Sequence, residues 1–136
     1  MLRRFGVSLP DSLLEQFDRL IRRQKYSNRS EAIRDLIRDA LVEEEWADSK
    51  EPVIASLALV YDHHASDLSR RLTSMQHEAH GIVQATLHIH MDAHNCMEVL
   101  VMRGPRADVE DTANRLISAK GVKHGKLFRS TQGANL

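Results

Sequence analysis

From Arg3 to Leu9 the chain alternates, with Phe5, Val7 and Leu9 on one face and Arg4, Gly6 and Ser8 on the other. This is the two-residue period of a half-buried strand. Pro10 ends it, and the residues up to Lys50 offer no second strand. They hold two amphipathic stretches instead. Leu13, Leu14, Phe17, Leu20 and Ile21 follow a cap expected at Asp11 or Ser12, in a helix expected to fade near Lys25. Ile33, Leu36, Ile37, Ala40 and Leu41 follow a second start at Asn28 to Ser30. Ser12 with Glu15, and Asn28 with Glu31, have capping-box spacing. A lone strand leaves its backbone donors and acceptors unpaired, and a strand-helix-helix segment of about 45 residues buries too little apolar surface to stand alone. A second copy remedies both defects. Two such strands, antiparallel across a two-fold axis, make a ribbon that the DNA major groove admits.

The whole chain has 136 residues, enough for one ordinary domain or two very small ones and too few for a large multidomain enzyme. Its 19 basic and 19 acidic residues exclude a uniformly basic protein, but the balance hides segregation. Residues 1 to 38 carry a net +4, residues 39 to 51 a net −5, and residues 52 to 136 a net +1. All eight histidines lie beyond residue 62. Two halves of different chemistry follow, joined by the acidic stretch Val42 to Pro52, which reads as a helix end and a linker. The expected domains are 1–48 and 52–131. No apolar run approaches the ~20 residues of a membrane helix, and the amino terminus lacks the apolar core of a secretory signal. The single Cys96 forms no intrachain disulfide, so a cytoplasmic location is expected.

In the second half, Val53 to Tyr61 reads as a strand, Ala65 to Gln76 as a helix, Ile82 to Asp92 as a long alternating strand and Met97 to Arg103 as another. Gly104-Pro105 breaks the pattern. A helix from Asp108 to Ala119 follows, Gly121 stops it, and Val122 to Arg129 is the last strand. Thr131 to Leu136 reads as a tail. The order βαββαβ is the ferredoxin-like unit, so the fold class is α+β; that fold hosts many functions and assigns none by itself.

The chemistry concentrates in Thr86 to Cys96. Leu87, Ile89 and Met91 fall on one strand face and Thr86, His88, His90 and Asp92 on the other, so two imidazoles project together from backbone positions ~6.6 Å apart. Cys96 follows a turn from Asp92 to Asn95 and returns beside them as a soft third ligand. Candidates for a fourth ligand are His77 or His80, three residues apart near the end of the preceding helix, and His63 or His64 before it. His64, His94 and His124 taken singly read as ordinary surface or core histidines. A cysteine nucleophile would need an oriented base, and no such arrangement is visible. The chain is therefore expected not to be an enzyme.

Two resemblances extend this reading. Arg4-Phe5-Gly6-Val7-Ser8-Leu9, Leu13-Leu14, and the octet Asn28-Arg29-Ser30-Glu31-Ala32-Ile33-Arg34-Asp35 resemble the ribbon-helix-helix (βαα) transcription factors over residues 2 to 45. The resemblance implies a dimer whose outward strand residues Arg4, Gly6 and Ser8 face DNA bases. Arginine suits bidentate contact with guanine and serine bonds several base edges, whereas Gly6 departs from the polar residue usual there. Arg29 and Ser30, at the amino end of the second helix, read as a phosphate clamp. In the other half, His88-Ile89-His90-Met91-Asp92, His94-Asn95-Cys96-Met97-Glu98, Gln76-His77 and Tyr61-Asp62-His63 resemble the nickel-responsive regulators. That likeness implies a homotetramer, a dimer of dimers. It implies one Ni(II) per subunit, bound by His88, His90 and Cys96 of one subunit and His77 of a neighbour. It further implies a palindromic DNA operator, repression of nickel-uptake genes, and an interdomain cation, usually potassium, at Glu31 and Asp35. Three imidazoles and a thiolate suit Ni(II) or Cu(II) in a planar arrangement and Zn(II) in a tetrahedral one. The alternative is a ribbon-helix-helix regulator answering to another metal (Cu, Zn, Co) or to a small molecule.

Overall fold

A computed structural model of the chain describes residues 1–48, 50–65 and 67–136. It divides into two compact units, Met1–Ala40 and Leu41–Leu136.

In the first unit, helix α1 spans Asp11–Arg23 and α2 begins at Arg29, running to Ala47. The expected strand from Arg3 to Leu9 forms no ladder in the single chain, and Phe5, Val7 and Leu9 are exposed. A strand requires a partner for its backbone groups, and this unit contains none. The cap of α1 also differs from expectation. Pro10 occupies the cap position with no side-chain cap, and its carbonyl accepts the Leu13 and Leu14 amides at 3.0 and 3.1 Å. The helix thus starts one residue too early for Asp11 or Ser12 to cap it; Asp11 sits in the first turn, where its charge complements the helix dipole. At the other end α1 closes slightly before Lys25. Tyr26 donates to the Ile21 carbonyl and Lys25 to that of Arg22, with Lys25 at φ 63°, which is a Schellman closure.

Asn28 caps α2 as expected, its Oδ1 accepting the Glu31 amide at 2.9 Å. Asn28→Ala should therefore cost about 1 kcal/mol, read as reduced amide protection in the first turn of α2 by hydrogen exchange; unchanged protection would show that the cap is dispensable. Arg29 grips Asp18 of α1 through two bonds of 2.9 Å, and the Tyr26 hydroxyl donates to Asp35 at 2.6 Å. These contacts tie the two helices together. Yet Ile21 and Ala32 are the buried apolar residues of this unit among the described residues, while Leu13, Leu36 and Ile37 stay about half exposed. Such a core is too small to stabilise about 40 residues alone.

The second unit is built on a four-stranded antiparallel sheet. Its strands are β1 (Val53–Asp62), β2 (Val83–His90), β3 (Asn95–Gly104) and β4 (Val122–Arg129), in the order β2-β3-β1-β4. Helices α3 (Leu68–Glu78) and α4 (Arg106–Ile117) complete the βαββαβ order expected for an α+β, ferredoxin-like fold. Central β1 alternates between buried and half-buried positions along its whole length. Leu57, Leu59 and Tyr61 of β1 join Cys96, Leu100 and Met102 of β3, Leu68 and Leu72 of α3, and Val109, Ala113 and Leu116 of α4 in one core. Gly125 is required on β4, because a Cβ there would lie 2.7 Å from Ile117 Cγ1 and 3.0 Å from Leu59 Cδ2. Trp46, in the last turn of α2, belongs to this core too. The division between units therefore falls within α2, ahead of the acidic linker.

Local chemistry moves three boundaries. α3 begins at Leu68 instead of Ala65, since Asp67 adopts a left-handed φ of 70°. β2 stops at His90 because Asp92 Oδ1 accepts the amides of His94 and Asn95, both at 2.8 Å, and closes the turn. α4 begins at Arg106, directly after Pro105 in the cap position. Among the described residues no helix is long and apolar enough to cross a membrane.

Candidate metal centre

β2 is an edge strand, and its register with β3 sets the geometry. Met91 donates to the Asn95 carbonyl at 3.0 Å, making 91/95 a hydrogen-bonded pair. The pairs His90↔Cys96 and His88↔Glu98 then fall at non-hydrogen-bonded positions, where facing side chains stand closest. Cys96 also pairs with Tyr61 of β1. Both imidazoles and the thiol thus share the helix-covered face, at the end of the sheet nearest the β2–β3 turn.

The parts of this face differ in burial. His88 and His90 are exposed on the edge, whereas Cys96 is 1% exposed and Glu98 2%. The Glu98 carboxylate accepts the Tyr61 hydroxyl at 2.7 Å and Gln76 Nε2 at 2.6 Å, and lies 3.3 Å from His88 Nε2. Burial pushes the Cys96 thiol up; the Tyr61 hydrogen bond opposes this, and the Glu98 and Asp62 carboxylates add to it. Burial, followed by the hydrogen bond to Glu98, likewise raises the Tyr61 hydroxyl. Asp92 is held well below the usual carboxylate range, first by the Asn95 amide and side chain and then by the His94 amide.

Within one chain these donors are neighbours without converging. Among the described residues no three His, Cys, Asp or Glu side chains stand in an arrangement that holds a metal ion. His77 is exposed in the last turn of α3. At 100° per residue it lies half a turn round the helix from Leu68 and well away from Leu72, so it faces outward while Gln76 reaches Glu98. His80 follows the helix and is exposed. His63 is half-buried, its ring centroid 5.1 Å from that of His90. His64 packs on His63 at 4.2 Å and faces His94 at 5.6 Å, whereas His124 stands apart on β4, opposite Val60.

Glu98 and Tyr61 are the neighbours that sequence reading did not single out for a role. The signal for Glu98 was present: it occupies the apolar phase of Cys96, Glu98, Leu100 and Met102, where a carboxylate demands partners.

In the first unit, Arg4, Gly6 and Ser8 lie on the exposed segment before α1. Ser30 is exposed in the first turn of α2, and the Arg29 guanidinium is engaged by Asp18. Glu31 pairs with Arg34 at 2.7 Å, and Asp35 with Arg38 at 3.1 Å as well as with Tyr26. The Tyr26 bond, then the Arg38 contacts, hold the Asp35 carboxyl below its ordinary value.

Comparison with known proteins agrees with both halves. Residues 3–44 match the ribbon-helix-helix proteins of the copG family, and residues 54–130 match the NikR C terminal nickel binding domain. Together they define a transcription regulator built from a DNA-binding module and a metal-binding domain. A protein of Nitratidesulfovibrio vulgaris (strain DSM 19637 / Miyazaki F) named "Putative nickel-responsive regulator" is 57% identical over 98% of this chain and 96% of its own. Proteins of the same name from Geobacter metallireducens and Anaeromyxobacter dehalogenans are each 54% identical, over 98% and 100% of this chain and 96% and 99% of theirs. The chain belongs to the family of nickel-responsive regulators, which are transcription regulators and not enzymes. The solved structure of an uncharacterized protein from Thermotoga maritima, 14% identical with a TM-score of 0.52, covers 58% of this chain and 98% of its own and shares the fold.

Proposed function

We propose that this chain is a cytoplasmic regulator that binds a palindromic DNA operator when loaded with one Ni(II) per subunit and so represses nickel-uptake genes. The observation that carries the reading is the β2–β3 register, which sets His88, His90 and Cys96 on one sheet face at close-packed positions. The donors fit the metal: two imidazoles and a thiolate suit a borderline divalent ion, and a third imidazole completes four ligands. That third imidazole is His77 of a neighbouring subunit in a homotetramer, a role favoured by its outward place on α3. Bound there, Ni(II) supplies a cross-link between the sheet edge of one subunit and α3 of another. Glu98 acts on the same site from behind, its buried carboxylate orienting His88 while Tyr61 and Gln76 hold it in place.

The first unit serves the DNA. Its small core and exposed Phe5, Val7, Leu13, Leu36 and Ile37 favour a dimer whose paired strands present Arg4, Gly6 and Ser8 to the major groove. Ser30 and the free amides opening α2 hold a phosphate, and Arg29 shares that role only by exchanging Asp18 for it. Glu31 and Asp35, one helical turn apart, offer oxygen ligands for a potassium ion. Their present pairs with Arg34 and Arg38 are exposed, and pairs of that kind contribute only about 0–1 kcal/mol, so they exchange readily.

The test couples metal to DNA. An operator is selected from random duplexes with nickel-loaded protein, and its affinity is then measured with and without Ni(II). Coupling free energies of about 1–3 kcal/mol predict nickel-loaded protein binding about 5–150-fold tighter than metal-free protein. His77→Ala should abolish that difference while leaving metal-free binding unchanged. Nickel-dependent binding as tight in His77→Ala as in the parent would overturn the intersubunit ligand; selected sites lacking two-fold symmetry would overturn the palindromic operator.

A further inference from the structure

Asn95 stands directly before Cys96, and each of its polar groups is engaged. Its amide donates to Asp92 Oδ1 at 2.8 Å, and its carbonyl accepts the amides of Met91 and Asp92 at 3.0 and 3.3 Å. The side chain works in both directions. Nδ2 donates to Asp92 Oδ2 at 3.0 Å, and Oδ1 accepts the ammonium of Lys123, at the start of β4, at 2.6 Å. An ionised carboxylate only accepts and an ammonium only donates, so this amide has one orientation and cannot flip. Lys123 reaches it across the end of the central strand. In the order β2-β3-β1-β4, Asp62 closes β1 opposite Asn95, while Tyr61 pairs with Val122 of β4. One bond thus ties β4 to β3 over the end of β1, and Asp92 extends the tie to the turn that leaves β2. These positions flank two of the donors: His90 lies two residues before Asp92, and Cys96 follows Asn95.

We propose that Asn95 and Lys123 are positioning residues for nickel, a clamp that presets the hairpin carrying His90 and Cys96 before the metal arrives; the inference rests on the metal-binding reading above. Glu98 acts on an imidazole directly, whereas the clamp acts on backbone at the point where the two donor strands join. β2 is an edge strand paired on one side, and His88 and His90 on it are exposed, so order at its turn end has few other sources. Every part of the hairpin that is ordered in advance lowers the entropic cost of binding. With the clamp opened, that ordering falls to the binding step, so affinity drops and release quickens. The donors themselves are unchanged, and the loaded site keeps its spectrum.

Full-length protein is titrated with nickel chloride, followed through the thiolate-to-metal absorption band, and the loaded protein is then chased with a chelator. Lys123→Met removes the donor and keeps most of the stem. It binds nickel about fivefold more weakly, the effect of one hydrogen bond, and its band decays faster in the chase but reaches the parental form at saturation. Asn95→Ala opens both bonds and loses about tenfold or more, as outer-shell changes do. Adding Lys123→Met to Asn95→Ala costs nothing further, because the lysine acts only through Asn95. Lys123→Arg, which keeps a cationic N–H donor, restores binding. Hydrogen exchange of metal-free Lys123→Met reads the cause without nickel: the His94 and Asn95 amides exchange faster while the sheet core keeps its protection. Additive losses in the double variant overturn the proposal. Parental affinity and decay in Lys123→Met, beside a normal Cys96-dependent band, overturn the clamp alone; a parent chain that develops no such band overturns the metal reading and the clamp with it.

Discussion

Cys96→Ala is expected to abolish the thiolate-to-nickel absorption band and to weaken Ni(II) binding by on the order of 10²–10³-fold. The magnitude follows from division. Structural four-ligand sites in small domains bind zinc with about 10–16 kcal/mol, so each ligand accounts for about 3 kcal/mol, and an anionic thiolate for at least its share. Folding should survive, because the substitution removes one sulfur atom from a core that Tyr61, Leu57, Leu59, Leu68 and Leu72 continue to fill. Circular dichroism alongside the titration checks that. Retention of parental affinity would exclude Cys96 as a ligand, leaving the imidazoles alone on the edge strand. Cys96→Ser separates charge from volume: serine fills the space but remains protonated, so it should fail nearly as badly as alanine.

Trp46→Ala is expected to destabilise the second unit by about 3–5 kcal/mol, the range for deleting a buried aromatic ring. Trp46 is 3% exposed, its Nε1 donates to the Ser130 carbonyl at 2.9 Å, and the Arg129 guanidinium lies 5.5 Å from the ring centroid. The core packing and both contacts vanish together, and the Ser130 carbonyl loses its donor. Calorimetry of the full chain should show a fall in Tm of at least about 10 °C for the unit holding the sheet. Trp46→Phe should recover part of the loss, since it restores packing without the N–H. A change below about 1 kcal/mol in Trp46→Ala would contradict the placement of this ring in the core. The residue also explains where the chain divides. A charge count puts the linker at the proline after the acidic run, but one indole anchors the last turn of α2 to the sheet domain.

The helices and strands of the second half were legible because their apolar residues keep a strict period, as in Leu57, Leu59 and Tyr61 against Leu68 and Leu72. Boundaries were less so, because side-chain bonds to the backbone decide them. Asp92 shortens β2 by capping the turn, and the left-handed Asp67 delays α3. In the first half the alternation of Phe5, Val7 and Leu9 announces a strand that one chain cannot form. Sequence carries the demand for a partner, and the single chain leaves that demand open.

For the candidate site, donor identity is a property of the sequence: His88 and His90 two residues apart, one cysteine after a short turn, and a distant His77. Local periodicity was enough to put the two imidazoles on one face. Pairing across strands was not available to it, and pairing decides what each imidazole meets. The register sets Cys96 against both His90 and Tyr61, and Glu98 against His88. Backbone hydrogen bonding between segments far apart in the chain chooses that register, and a shift of one residue would turn every donor to the opposite face. Residue order alone supplies the donors, two imidazoles, a thiol and the distant His77; strand pairing and burial choose which of them become neighbours, because contact depends on register across the sheet rather than on position along the chain.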